Sequence, residues 1–172
     1  MRRYFVAWFV GVAFLFGGTA GAQTWIEYRP ADGRFRIEMP GTPVVSSVPL
    51  DVGKAPRVMQ IEAMTKIADV AFAATYTDMP DGLARSAPPE KLLERIRDGS
   101  VAGGQLLSDK PLTVGGLAAR EYTFNNFGLF MVTRSAWSGR RLYQITVAGR
   151  VAGIDRQPDT RRFLDSFTPI SP

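Results

Sequence analysis

Neither cysteine nor histidine occurs anywhere in the chain. The first absence removes disulfides, thiolate nucleophiles and a lipid-modified cysteine at a leader's processing site. The second removes the side chain best poised as a general base near neutral pH, which is also the commonest metal ligand. Serines are present at Ser46-Ser47 and Ser135, but the Gly-x-Ser-x-Gly elbow is missing and nothing can activate them as a histidine would. A phosphate-cradling loop is missing too. Gly115-Gly116 sits between two strand-like runs with no helix behind it, which reads as a hairpin turn. Charge of one sign is in short supply: 16 acidic residues face 21 basic ones, two of which are Arg2 and Arg3. Beyond those, basic doublets occur only at Arg140-Arg141 and Arg161-Arg162. A nucleic-acid surface needs a concentrated basic stripe, so no nucleic-acid partner is expected.

What is there begins with a separate object. Arg2 and Arg3 precede an apolar run from Tyr4 to Phe16, and Ala20-Gly21-Ala22 closes it with small residues. That is the order of a secretory signal peptide over residues 1–22, with cleavage expected after Ala22. The run is short for a membrane span of about 20 apolar residues, so no stable anchor is expected after cleavage. Arg2-Arg3 followed by Tyr4-Phe5-Val6 partly matches a twin-arginine export signal, although two arginines also open ordinary secretory leaders. Residues 23–172 remain, enough for one domain that buries roughly 68–70% of its unfolded surface without staples. An exported chain without cysteine fits a bacterial envelope, periplasmic or secreted.

The mature part is organised around Trp25 to Val45. Trp25, Glu27 and Arg29 alternate with Ile26 and Tyr28, while Phe35, Ile37 and Met39 alternate with Arg34, Arg36 and Glu38. Period two means strand, and Pro30-Ala31-Asp32-Gly33 supplies the turn of a hairpin. Asp32-Gly33 lacks the further oxygen ligands of a calcium loop. Extended runs follow at Val44 to Leu50, Arg57 to Lys66 and Asp69 to Asp78, the last two joined too tightly for anything but antiparallel pairing. Ala71, Ala73, Thr75 and Thr77 give the third run a small-residue face that a helix could approach closely. Asp78-Met79-Pro80-Asp81-Gly82 opens a polar connection in which two carboxylates are too few for a hard cation. A helix should start near Ser86 or Ala87 as cap, with Pro88-Pro89 in its first turn, and bury Leu92, Leu93 and Ile96 before fading between Gly99 and Gly104. Its outward face mixes signs, which argues against a membrane-surface role. Strands then run from Gln105 to Val114, Leu117 to Phe124, Leu129 to Trp137 and Arg141 to Ala148, the last three forming a meander through short loops. A closing helix from Pro158, with Phe163, Leu164 and Phe167 as its apolar stripe, is expected to dock on the meander, with Thr168 to Pro172 a tail.

Three stretches carry a family resemblance. They are Trp25 to Pro43 with its Asp-Gly-Arg-Phe turn and Pro-Gly-Thr-Pro end, Gly139 to Val147, and Arg162-Phe163-Leu164-Asp165-Ser166-Phe167. Together they resemble bacterial members of the PsbP-like fold, shared by the extrinsic photosystem II protein and a Ran-GTPase-binding nuclear transport factor. The resemblance implies an α+β domain, an antiparallel sheet flanked by helices in an α/β/α sandwich. It also implies a binding or assembly protein rather than an enzyme. No functional residue of those relatives has a match here, and fold does not dictate function.

The expectation is therefore an exported, non-catalytic binding or assembly protein needing no cofactor or metal. Its partner would be a protein or a small apolar ligand of the envelope. Aromatics grouped around one loop, Phe124, Phe127 and Phe130, together with Trp137, are the candidate partner-binding residues, since loop aromatics can anchor a partner. Large apolar side chains also chiefly go inside, which is the competing reading. The alternative function is a carboxylate-dependent envelope hydrolase, for which Glu62, Asp69, Asp78 and Asp81 are available. Such chemistry needs two acids facing each other roughly 5–9.5 Å apart.

Overall fold

The computed structural model describes residues 24–32, 34–52 and 57–170. The expected leader, 1–22, lies outside the described residues.

β1 (Trp25–Tyr28) and β2 (Phe35–Pro40) form the expected hairpin, in register from Trp25 opposite Pro40 to Tyr28 opposite Ile37. The period-two pattern sends Phe35, Ile37 and Met39 inward, where all three are buried, and leaves Arg36 exposed. The hairpin does not join the main sheet. Its second strand pairs instead with β10 (Thr168–Pro169), making a separate three-stranded sheet. Those two residues, expected as part of a tail, are held there because Ile170 N–H donates to the Arg34 carbonyl at 2.8 Å.

The main sheet has seven strands in the order β3-β4-β5-β9-β8-β7-β6, all antiparallel. They are β3 (Val44–Leu50), β4 (Val58–Ile67), β5 (Val70–Asp78), β6 (Gln105–Val114), β7 (Leu117–Asn126), β8 (Leu129–Ser138) and β9 (Arg141–Gly149). After β5 the chain crosses to the far edge and returns strand by strand until β9 closes against β5. Phe72, Ala74 and Tyr76 of β5 lie opposite Val147, Ile145 and Tyr143 of β9, so two apolar rows meet at the seam.

Each face of this sheet has its own cover. On one, α2 (Pro89–Val101) lays Leu92, Leu93 and Ile96 over Trp137, Leu142 and Ala118, packing mainly on β7 and also on β6 and β8. The small-residue face of β5 is therefore not what receives the helix; its Ala71 and Ala73 stay half-buried. Pro88 occupies the helix cap and Pro89 the first turn, where a missing N–H costs nothing. Ser86, expected as the cap, donates its hydroxyl to the Leu83 carbonyl instead, closing the four-residue α1 (Asp81–Ala84) that the connection conceals.

The other face is covered by the hairpin sheet together with α3 (Pro158–Ser166). Here the expected docking of the closing helix on the meander is corrected. α3 packs chiefly on β2 and a short 3-10 helix (Ile154–Arg156) and only secondarily on β9, because the hairpin's apolar row already occupies the sheet surface. Phe35 sits at the junction, in edge-on contact with Tyr28, Tyr76 and Tyr143 at centroid distances of 6.3, 6.0 and 5.7 Å. Each such pair adds about 0.5–1.5 kcal/mol beyond area burial. The molecule is thus mostly antiparallel sheet with few helices, and among the described residues none is long and apolar enough to cross a membrane.

Candidate functional site

The β8–β9 turn builds a broad concavity. Gly139, at φ +58°, takes the first position of the two-residue Gly139-Arg140 loop, where a hairpin needs a positive φ. That loop places Arg140 and Arg141 beside the end of β5. With Arg34 from the hairpin turn and Arg85 after α1 they line a cleft of about 690 Å³, floored in part by Asp78 and Tyr143.

Arg141 is committed to the fold. It faces Asp78 across the strands and grips it with a two-pronged fork, Nε to Oδ1 and Nη2 to Oδ2, each 2.7 Å. Its third donor reaches Asp32 in the hairpin turn, and its guanidinium lies 4.5 Å over the Tyr76 ring. The hydrogen bond from Arg141 holds Asp78 below the usual carboxylate range, and Asp78 in turn raises Arg141. Arg140 is half committed: its Nε donates to the Met79 carbonyl at 3.0 Å and its Nη1 lies 3.1 Å from Asp81. Arg34 makes no ion pair among the described residues, and Arg85 reaches Asp81 only at 4.0 Å, both groups exposed. The cleft therefore presents two guanidiniums with unused donors to solvent, above carboxylates that are already neutralised. Planar forks of this kind suit an incoming carboxylate or other oxyanion.

That arrangement does not serve acid-base chemistry. Asp78 is held ionised, and Asp81 sits between two arginines. Asp69, in the β4–β5 turn, lies at the opposite end of nine-residue β5 from Asp78, about 30 Å away at ~3.3 Å per residue. Glu62 points from β4 beside Thr75 and has no acidic partner across the strand. The four carboxylates do not converge. Among the described residues no group of three or more acidic side chains is placed to hold a metal ion.

The aromatic candidates are scattered. Phe124 is buried and stacks on Tyr122 at 6.0 Å, and Trp137 is buried under α2 with its indole N–H donating to the Gly139 carbonyl at 2.8 Å. Neither offers a face to a partner, which corrects their assignment to a binding surface. Phe130 packs half-buried against the main core. Phe127 alone of the four stands free, 91% exposed at the tip of the β7–β8 hairpin with φ +50°. Alternation along β7 and β8 carried this information: even-numbered Phe124 and odd-numbered Trp137 are in register with residues under the helix. The arginine cleft had no such signal, since Arg141 lies 63 residues from Asp78 and 109 from Asp32. A second cleft, about 290 Å³ and mostly apolar, opens between the β4–β5 turn and the 3-10 helix beside Phe72, Val151 and Ile154. It is below the roughly 300–1,000 Å³ usual for a small-molecule site.

The architecture is the PsbP-like one: an antiparallel sheet with a hairpin sheet and α3 on one face and α2 on the other. The solution structure of cyanobacterial PsbP (CyanoP) from Synechocystis sp. PCC 6803 matches it with a TM-score of 0.56 over 89% of this chain and 96% of that one, at 13% identity. That likeness shows the fold alone. A crystal structure of PA94 from Pseudomonas aeruginosa, described as a protein of unknown function and putative regulator, matches at 9% identity over 80% of this chain and 85% of that one, with a TM-score of 0.40. No family model and no curated protein matches the chain.

Proposed function

We propose that the chain is an exported, non-catalytic binding or assembly protein of a bacterial envelope, and that its arginine cleft receives an acidic segment of a partner protein. One observation carries the reading: Arg34 and Arg85 line a cleft whose Asp78 is already spent on Arg141, and among the described residues Arg34 makes no ion pair while Arg85 reaches only exposed Asp81, at 4.0 Å. Donors held only by water can pass to an incoming carboxylate, whereas those of Arg141 are already bonded within the fold. The polar lining favours such a segment over the small apolar ligand also considered. The PsbP-like fold supports a role exercised by contact, and the order of residues in 1–22 supports export.

Fluorescence anisotropy with a labelled hexaglutamate peptide tests the cleft. Residues 23–172 should bind it in low salt, weaken as salt rises, and lose at least tenfold in affinity in an Arg34→Ala/Arg85→Ala variant. Equal binding by that variant refutes the assignment. Export is checked apart from this: mass spectrometry of the periplasmic fraction should find a chain beginning at Gln23, and recovery of the intact leader in membranes refutes it.

A further inference from the structure

Among the described residues the seven-stranded sheet has two unpaired edges, and they differ. Each edge strand carries one proline, Pro111 in β6 and Pro49 in β3, but β6 is further guarded against accidental pairing by Asp109 and Lys110 and by a register shift between Leu106 and Ser108. Such devices are how natural sheets keep their edges apart. β3, reading Val-Val-Ser-Ser-Val-Pro-Leu, carries no charge at all. Six of its seven residues are exposed, among them Val44 at 73%, Val45 at 53% and Val48 at 45%, and Met59 and Met64 of the neighbouring strand are exposed beside them. The valines lie on both faces of the strand, since Val44 and Val48 share a face with Met64 and Gln60 while Val45 shares one with Ala63. A layer laid on one face leaves at least one of them uncovered. A strand added to the edge flanks them all.

We infer that β3 is a dimer seam, pairing antiparallel with β3 of a second copy about a two-fold axis through Ser46. An axis perpendicular to the sheet keeps each residue on its own face, so the dyad must fall on a residue rather than between two. At Ser46 it sets Val44 opposite Val48 of the second copy, twice over, with the serines facing at the centre and Val45 opposite Ser47. Cross-strand β-branched pairs stabilise such a seam, and an uncharged strand brings no like charges together when it meets itself. Self-pairing also satisfies both copies' open backbone groups at once. The arginine cleft lies at the β5–β9 seam, away from this edge, so the dimer presents two clefts to a multivalent acidic partner.

The absence of cysteine makes a clean test. Opposite residues of an antiparallel pair have Cα atoms about 4.5–5.5 Å apart, within the roughly 4.4–6.8 Å a disulfide spans. Under mild oxidation, Ser46→Cys should give a covalent dimer, while Thr113→Cys on the β6 edge and Ser47→Cys should stay largely monomeric. Independently, sedimentation equilibrium of residues 23–172 should show a mass that doubles with concentration, and Ser46→Lys, which sets two ammonium groups face to face, should remain monomeric, with the wild type's urea midpoint at concentrations low enough that both are monomers. A monomeric wild type at every concentration overturns the inference, as does cross-linking that favours Thr113→Cys or Ser47→Cys. A wild type that pairs only when another envelope protein is added overturns it equally.

Discussion

Replacing Glu121 by glutamine removes one charge and almost no volume, yet it should cost the fold about 3 kcal/mol. The carboxylate, on β7, is 5% exposed. It receives Arg134 Nε and Nη2 from β8 at 3.0 and 2.6 Å and Arg161 Nη1 from α3 at 3.0 Å, with Lys110 of β6 also at 3.0 Å. Burial pushes this carboxyl up, but the bonds from Arg161, Arg134 and Lys110 outweigh burial and bring it from 4.5 down to about 2. A native value below the unfolded one means the stabilisation is complete above the unfolded pKa and disappears as pH falls through the native one. The window runs from about pH 5 to pH 2, and a drop of roughly 2.5 units corresponds to about 3 kcal/mol at about 1.36 kcal/mol per unit. Neutralising one member of a buried ion pair gives a similar cost, because a glutamine leaves Arg134 and Arg161 a neutral acceptor in place of the carboxylate and only Asp165, at 2.8 and 2.9 Å, as a charged partner. For a domain of about 150 residues that is roughly 6–12 °C of Tm. Urea denaturation of both proteins at pH 7, 5 and 3 reads it directly. The gap between them should be widest at pH 7 and close as pH falls. A glutamine variant of wild-type stability at pH 7, or a gap that does not narrow in acid, refutes the reasoning.

Arg141→Lys should keep the charge but lose the fork, costing about 2 kcal/mol, less than a fully buried pair because Asp78 is half in water; the Asp78 carboxyl should rise in an NMR titration, and hydrogen exchange should speed up in the hairpin turn that Asp32 anchors. Gly115→Ala should destabilise by more than about 1 kcal/mol, since a Cβ there meets the Pro169 ring at 2.7 Å on top of a φ of +55°, whereas Gly116→Ala, in open space at φ +82°, should cost only about 1 kcal/mol of backbone strain. Equal urea midpoints for the two would refute the steric account. Phe127→Gly should stabilise the domain by about 0.5–1 kcal/mol, because a non-glycine left-handed residue 91% exposed gives strain and no packing; a loss of stability would show that the ring has a partner within the fold.

The sheet was legible in the sequence wherever one face is dry and the other wet. Alternation at Phe35, Ile37 and Met39, at Phe72, Ala74 and Tyr76, and at Tyr143, Ile145 and Val147 marks strands that do turn those rows toward the core, Tyr76 only partly buried. Such alternation is local and says which face is apolar, but not which layer covers it. So the hairpin was recognised and its position was not: it left the main sheet, took the surface expected for α3 and drew in Thr168–Pro169 as a third strand. α1 is too short for periodicity to show, and the cap expected at Ser86 or Ala87 falls on Pro88 because the Ser86 hydroxyl has a nearer carbonyl at Leu83. Among the aromatics, composition could not separate Phe127 from Phe124. Strand parity could, and it puts Phe124 under the helix.

Arginine takes the place that cysteine leaves empty. Each of three ion networks joins pieces distant in sequence where a cover meets the central sheet. Arg141 ties β9 to β5 and to the β1–β2 turn, Glu121 ties β6, β7 and β8 to α3, and Asp109 of β6 takes both Arg97 of α2 and, at 2.5 Å, Arg120 of β7. Apolar burial supplies most of the driving force but is non-directional, so a helix resting on a flat apolar sheet is free to slide. A guanidinium fork fixes angle as well as distance, and a lysine at the same position would keep the charge while losing the orientation. This use of arginine also accounts for the cleft. The carboxylate in the cleft, Asp78, is bound to the arginine that holds the layers together, so Arg34, with no ion pair among the described residues, and Arg85, which reaches only exposed Asp81 at 4.0 Å, keep donors that an incoming carboxylate can take over from water.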